Sequence, residues 1–195
     1  MRPQSVKQLT VSYTQLEKQG LVGMIDRSED VLKMLEERAF IIIEGQFMSI
    51  YSVFLEELEV RKIEYQLKWF ANGDLHSSPN TEINLPHFID DRVLLPNGQR
   101  SERQIRPPHP RYKKYEYEPY SVAVRQNPFL QTDERTALYQ VLLTCGFIAY
   151  NGRVPVTLLQ FLSRRKCEFS MRSYHDEHGW EYEIQLQGFV DDRDE

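Results

Sequence analysis

Near the end of this 195-residue chain the side chains alternate without a break over two neighbouring stretches. Cys167, Phe169 and Met171 alternate with Glu168, Ser170 and Arg172. Beyond a polar tip at 175–179, Trp180, Tyr182, Ile184 and Leu186 alternate with Glu181, Glu183, Gln185 and Gln187. In an extended chain a period of two sends successive side chains to opposite faces, so the pattern predicts an antiparallel hairpin with one apolar face. An isolated hairpin is marginal in water, and its apolar face demands a cover. Helices laid on that face, and hence an α+β fold, are the simplest answer.

The remaining elements follow from period and punctuation. A helix is predicted over 28–38, capped by Ser28, with Glu29 and Asp30 at its positive end and Val31, Leu32 and Leu35 at helical spacing. Phe40, Ile41, Ile42 and Ile43 make a short buried strand, because β-branched residues in series disfavour helix. Gly45 punctuates, and a second helix is predicted over 47–59, with Phe47, Ile50, Tyr51, Phe54 and Leu58 on one face. Ile63, Tyr65, Leu67 and Trp69 then alternate with Glu64, Gln66 and Lys68, and Asn72-Gly73 is a hairpin turn signal. Between 75 and 119 no period holds for long, and six of the ten prolines lie between Pro79 and Pro110. An extended connection is expected there, followed by a strand over 121–125. Thr132 to Glu134 start a helix that carries Ala137, Leu138, Val141, Leu142 and Cys145. Gly146 ends it, 147–150 is a strand, Asn151-Gly152 turns, and a shorter helix carries Val156, Leu159 and Leu162.

Both ends therefore have the order helix, strand, glycine turn, helix, hairpin. Leu35, Phe40, Ile41 and Gly45 align with Leu142, Phe147, Ile148 and Gly152 at one offset. After a gap, Leu55, Leu58, Arg61, Lys62 and Glu64 align with Leu159, Leu162, Arg165, Lys166 and Glu168. The expected fold is α+β: two similar helix-strand-helix-hairpin units with antiparallel sheets, a candidate internal duplication, joined by a Pro-rich irregular connection. The units span 1–74 and 121–195, with the basic and Tyr-rich connection at 75–120. Any helix-strand-helix-hairpin would show Leu, Phe and Gly at such places, so only the shared Arg-Lys-x-Glu asks for more than core packing.

Composition narrows function by exclusion. The formal charge is -5 and the pI about 5.6, which disfavours DNA phosphates or anionic membranes as partners of the chain as a whole. No apolar run is long enough to span a bilayer. The first residues lack a signal-peptide core, from which a cytoplasmic setting is expected, a nuclear one not being excluded. Cys145 falls on a helix stripe and Cys167 on an inward strand face, where thiols act as small hydrophobes. Neither a Gly-rich phosphate loop nor a catalytic motif is present, so no cofactor is expected.

Three constellations remain. His175, Asp176, Glu177 and His178 offer ligands that zinc or manganese accept, but a tight turn sends neighbouring side chains apart, and no metal is expected. Asp90 and Asp91 beside Arg92 resemble an acid–base pair, yet adjacent residues of an extended chain face opposite ways. The most unusual stretch is 99–120, where Arg106, Arg111, Lys113 and Lys114 interleave with Tyr112, Tyr115 and Tyr117. Tyr and Arg are the anchors enriched at protein interfaces, and the same mix suits single-stranded nucleic acid, where bases stack on tyrosine. The expected function is thus non-catalytic: a binding or assembly subunit for a protein partner or a second copy. It would act through this segment and through a last strand presenting Trp180, Tyr182 and Ile184 at an open sheet edge. The alternative is a single-stranded nucleic-acid binder using Arg61, Lys62, Arg165 and Lys166 with Arg106 and Arg111. An enzyme built on 175–178 comes third.

Overall fold

A computed structural model gives the fold, describing residues 10–25, 30–45, 49–71, 79–92, 117–126, 131–132 and 138–193. In chain order the elements are β1 (Val11–Ser12), α1 (Tyr13–Lys18), β2 (Met24–Ile25), α2 (Val31–Arg38), β3 (Phe40–Glu44), α3 (Ser49–Val60), β4 (Gln66–Phe70), β5 (Asn80–Asn84) and β6 (Phe88–Ile89). After them come α4 (Tyr120–Gln126), β7 (Gln131–Thr132), α5 (Leu138–Cys145), β8 (Phe147–Asn151), α6 (Val156–Arg164), β9 (Phe169–Asp176) and β10 (Gly179–Leu186).

Eight strands form one sheet in the order β2-β3-β5-β4-β9-β10-β8-β7, and β1 pairs with β6 in a separate parallel ribbon. The six inner strands are antiparallel, while β2 and β7 add parallel to β3 and β8. The seam between β4 and β9 has the same order on either side: β5, β3, β2 outward from β4, and β10, β8, β7 outward from β9. Chain direction, glycine turns and hairpin pairing bring both hairpins into this one sheet, so the expected pair of separate hairpin sheets is replaced by a continuous one.

The alternation read from sequence sets the two faces. Tyr65, Leu67 and Trp69 of β4, Ile83 of β5, Phe169 and Met171 of β9, and Tyr182, Ile184 and Leu186 of β10 are buried. They belong to one core cluster with Leu55 and Leu58 of α3 and Leu158, Leu159 and Leu162 of α6. Gln66, Lys68, Glu82, Ser170, Arg172, Glu183 and Gln185 occupy the intervening register positions and thus the opposite face.

Local chemistry explains the helix ends. Asp30 caps α2 by accepting from the Lys33 N–H at 3.1 Å, while Ser28 lies outside the described residues. The helices α3 and α6 both end through a lysine in the left-handed region, Lys62 and Lys166 at φ 56°. The Ile63 N–H then reaches back to the Leu58 carbonyl, and the Cys167 N–H to that of Leu162.

Several expectations are corrected. Residues 121–125 belong to helix α4, not to a strand. Packing decides this: Ala123 is buried against Phe147 and Ala149, and Tyr120 joins the same cluster. Within the stretch read as irregular lies β5, whose Asn80, Glu82 and Asn84 alternate with Thr81 and Ile83. With a single aliphatic residue, it carries no visible hydrophobic period. The short elements β1, α1 and β2 were also invisible to periodicity, and the Asn72-Gly73 turn signal lies outside the described residues. Finally, β10 is not an edge, since it pairs with β9 on one side and β8 on the other. Tyr182 and Ile184 are wholly buried and Trp180 partly so, which removes the open edge on which they were expected to meet a partner.

Candidate functional site

Two buried carboxylates on the sheet face opposite α3 and α6 organise the site. Glu82 on β5 is 2% exposed and Glu183 on β10 6%. Each is held by an arginine from the segment that returns after the hairpin. Arg92 donates Nη1 and Nη2 to the two Glu82 oxygens at 3.2 Å each, and its Nε and Nη2 to Asp90 at 2.7 and 2.5 Å. Arg193 donates Nη1 and Nη2 to Glu183 at 2.6 and 2.8 Å, and Nε and Nη2 to Asp191 at 2.7 and 2.5 Å. A planar guanidinium fits two carboxylates at once in this way, and burial strengthens the pairing.

Aromatic rings complete each clasp. The Arg92 carbon Cζ lies 4.8 Å from the Tyr13 ring centre and 5.9 Å from that of Phe40. Arg193 lies 4.2 Å from Tyr120 and 5.6 Å from Phe147. Phe88 stacks on Phe40 and Phe189 on Phe147. The middle aspartates tie the helices down: Asp91 accepts from the Thr14 N–H at 2.8 Å, and Asp192 accepts from the Ser121 N–H at 2.8 Å and from its hydroxyl. The tripeptide Asp-Asp-Arg occurs at 90–92 and at 191–193, each eight residues or so beyond its buried Glu. That coincidence is the sequence signal for these residues, and a search for hydrophobic period or catalytic motif does not register it.

The clasps set the acid response. Burial pushes the Asp90 carboxyl up, but the Arg92 hydrogen bond and charge, with Lys68 nearby, hold it below the usual carboxylate range. The hydrogen bond from Arg193 does the same for Asp191, against its own burial. A carboxyl lowered in the folded state contributes stability above its unfolded pKa, and that contribution disappears as pH falls through the folded value. Thermal stability should accordingly be flat from neutrality to about pH 5 and then fall steeply below about pH 4. Asp191→Asn should flatten that fall. An equally steep decline in Asp90→Asn and Asp191→Asn, measured by Tm against pH, would assign it to other carboxyls.

Between the clasped segments, on the face opposite α3 and α6, lies a groove of about 550 Å³. Its floor comes from β4, β9 and β10 through Lys68, Ser170 and Gln185, and its walls include Asp90 and Arg92 on one side and Phe189, Val190 and Asp191 on the other. The exposed Ile89 and Val190 stand on the two return segments, one on each.

The other candidates fall elsewhere. In the shared Arg-Lys-x-Glu, Lys62 and Lys166 supply the left-handed helix ends described above. The glutamates cross the seam: Glu64 accepts from the His175 N–H at 2.9 Å, and Glu168 from the Ala71 N–H at 3.1 Å. Arg61 pairs with Glu57 and Glu36 at the surface, and Arg165 lies 4.4 Å over the Phe161 ring. These four basic residues thus have structural work that needs no nucleic acid. His175 packs edge-on against Trp180, while Glu177 and His178 are exposed in the turn. Among the described residues no group of three His, Cys, Asp or Glu is placed to hold a metal. Cys167 is buried and Cys145 partly so. Arg106, Arg111, Tyr112, Lys113, Lys114 and Tyr115 lie outside the described residues. Tyr117 lies against Gly146, where an added Cβ would come within 2.5 Å of its ring.

On the helix face Glu59 accepts from the Tyr182 hydroxyl at 2.9 Å and the Val154 N–H at 2.8 Å, linking α3 to the start of α6. Tyr65 Oη, Trp69 Nε1, Thr81 Oγ1 and both amide atoms of Asn80 are buried without a partner. Among the described residues no helix is long and apolar enough to cross a membrane. Compared with known proteins, the chain matches no family model, no curated protein and no solved structure.

Proposed function

We propose that this chain is a non-catalytic binding subunit that engages a protein partner through the groove on the sheet face opposite α3 and α6. The groove of about 550 Å³ between the two clasped return segments carries the reading, since it falls within the size that binding clefts occupy. Among the described residues the outermost strands β2 and β7 have two residues each, a short edge for strand addition. A cytoplasmic setting is part of the same proposal.

We further infer that the two halves arose by internal duplication. The matching strand order on either side of the seam, the paired Glu-Asp-Asp-Arg clasps and the reciprocal Glu64 and Glu168 bonds support this.

The test is capture from native lysate by immobilised chain, with and without nuclease, beside a variant carrying Ser170→Arg and Val190→Arg on the groove. Protein capture that survives nuclease and is lost in the variant supports the reading. Capture abolished by nuclease transfers the function to nucleic acid, and capture indifferent to the variant places the surface elsewhere.

A further inference from the structure

The groove's charge selects its occupant. Lys68 and Arg92 face Glu82, Asp90, Glu168 and Asp191 along its walls, a net of -2. Counting the rest of the second clasp, Glu183 with Arg193, leaves that net unchanged. The sign agrees with that of the whole chain, whose formal net charge is -5. A phosphate backbone would be repelled here, because nucleic-acid affinity depends on cations that neutralise phosphates.

The remaining lining speaks to shape. Ser170, Gln185 and Gln187 present side chains that both donate and accept, as a peptide group does. Phe70, Phe189 and Val190 add apolar surface, which suits the methylene stem of a lysine or arginine whose charge reaches a carboxylate.

From this complementarity we propose that the groove takes an extended, lysine- or arginine-bearing peptide segment of a protein partner. The proposal rests on the groove opposite α3 and α6 being the binding surface and names the chemistry of what binds there.

Panning a randomised peptide-display library against the purified full-length chain tests it, with a groove variant, Glu168→Lys, as the counter-target. Circular dichroism and Tm would confirm that the variant is folded, and Val190→Lys serves if it is not. The expected result is enrichment of sequences with net positive charge whose affinity falls at least tenfold on the variant and weakens as salt rises. Enriched peptides that are neutral or acidic would overturn the proposal, as would basic ones that bind the variant equally well or no enrichment at all. Acidic or neutral peptides that nonetheless lose affinity on the variant would leave the groove as the binding surface while removing its basic occupant.

Discussion

Arg92→Ala should lower the unfolding free energy by about 3–5 kcal/mol in urea denaturation at pH 7. Arg92 is the cation held against Glu82, and their side chains are 20% and 2% exposed. Removing it strands a desolvated carboxylate beside Asp90, and the penalty of an uncompensated buried charge exceeds the attraction that a surface pair loses. The loss of the guanidinium from the Tyr13 ring acts in the same direction. Arg61→Ala is the internal control. Arg61 pairs with Glu57 at 2.6 Å, but both side chains are nearly half exposed, so water screens the pair and its loss should leave the unfolding free energy almost unchanged. Adding Glu82→Gln to Arg92→Ala should recover part of the loss, because the stranded charge is gone. An Arg92→Ala loss under about 1 kcal/mol would show that water reaches Glu82 and that the clasp is not buried in solution.

The second large effect lies at the seam. Leu67 and Met171 sit opposite each other in the β4–β9 register and are wholly buried. Either change to Ala should cost about 2–5 kcal/mol, the spread depending on how far the core collapses into the space. The double variant should lose less than the sum, since each residue forms part of the other's wall. Calorimetry should show a single transition in all three proteins, because one hydrophobic cluster runs through both sides of the seam. Two separated transitions in the double variant would mean that the halves fold as independent units, and that the seam is a contact between domains.

The stretches with a strong period were legible before any coordinates. Phe40 to Ile43, Tyr65 to Trp69 and Phe169 to Leu186 fall where their alternation or β-branching put them, because side-chain direction along a strand depends on backbone geometry alone. The turns at Gly45, Gly146 and Gly152 were legible for a related reason: all three take positive φ, which glycine adopts without strain. Residues 121–125 escaped because Val122 and Val124 give a local β signal, and the deciding contacts, of Tyr120 and Ala123 with Phe147, come from far along the chain.

The clasps and the groove belong to the second kind of information. Asp-Asp-Arg is a common surface tripeptide, and nothing local tells Arg92 that Glu82 is buried on the strand ten residues back. That depends on β5 lying between β3 and β4, which only the assembled sheet decides. The role of β10 followed the same logic. Its alternation dictated which side chains face the core, but alternation is identical in an edge strand and an inner one. Periodicity reports the direction of side chains relative to their own backbone, whereas strand order and buried charge pairs depend on which distant segment supplies the neighbour, and that choice is made by the tertiary packing as a whole.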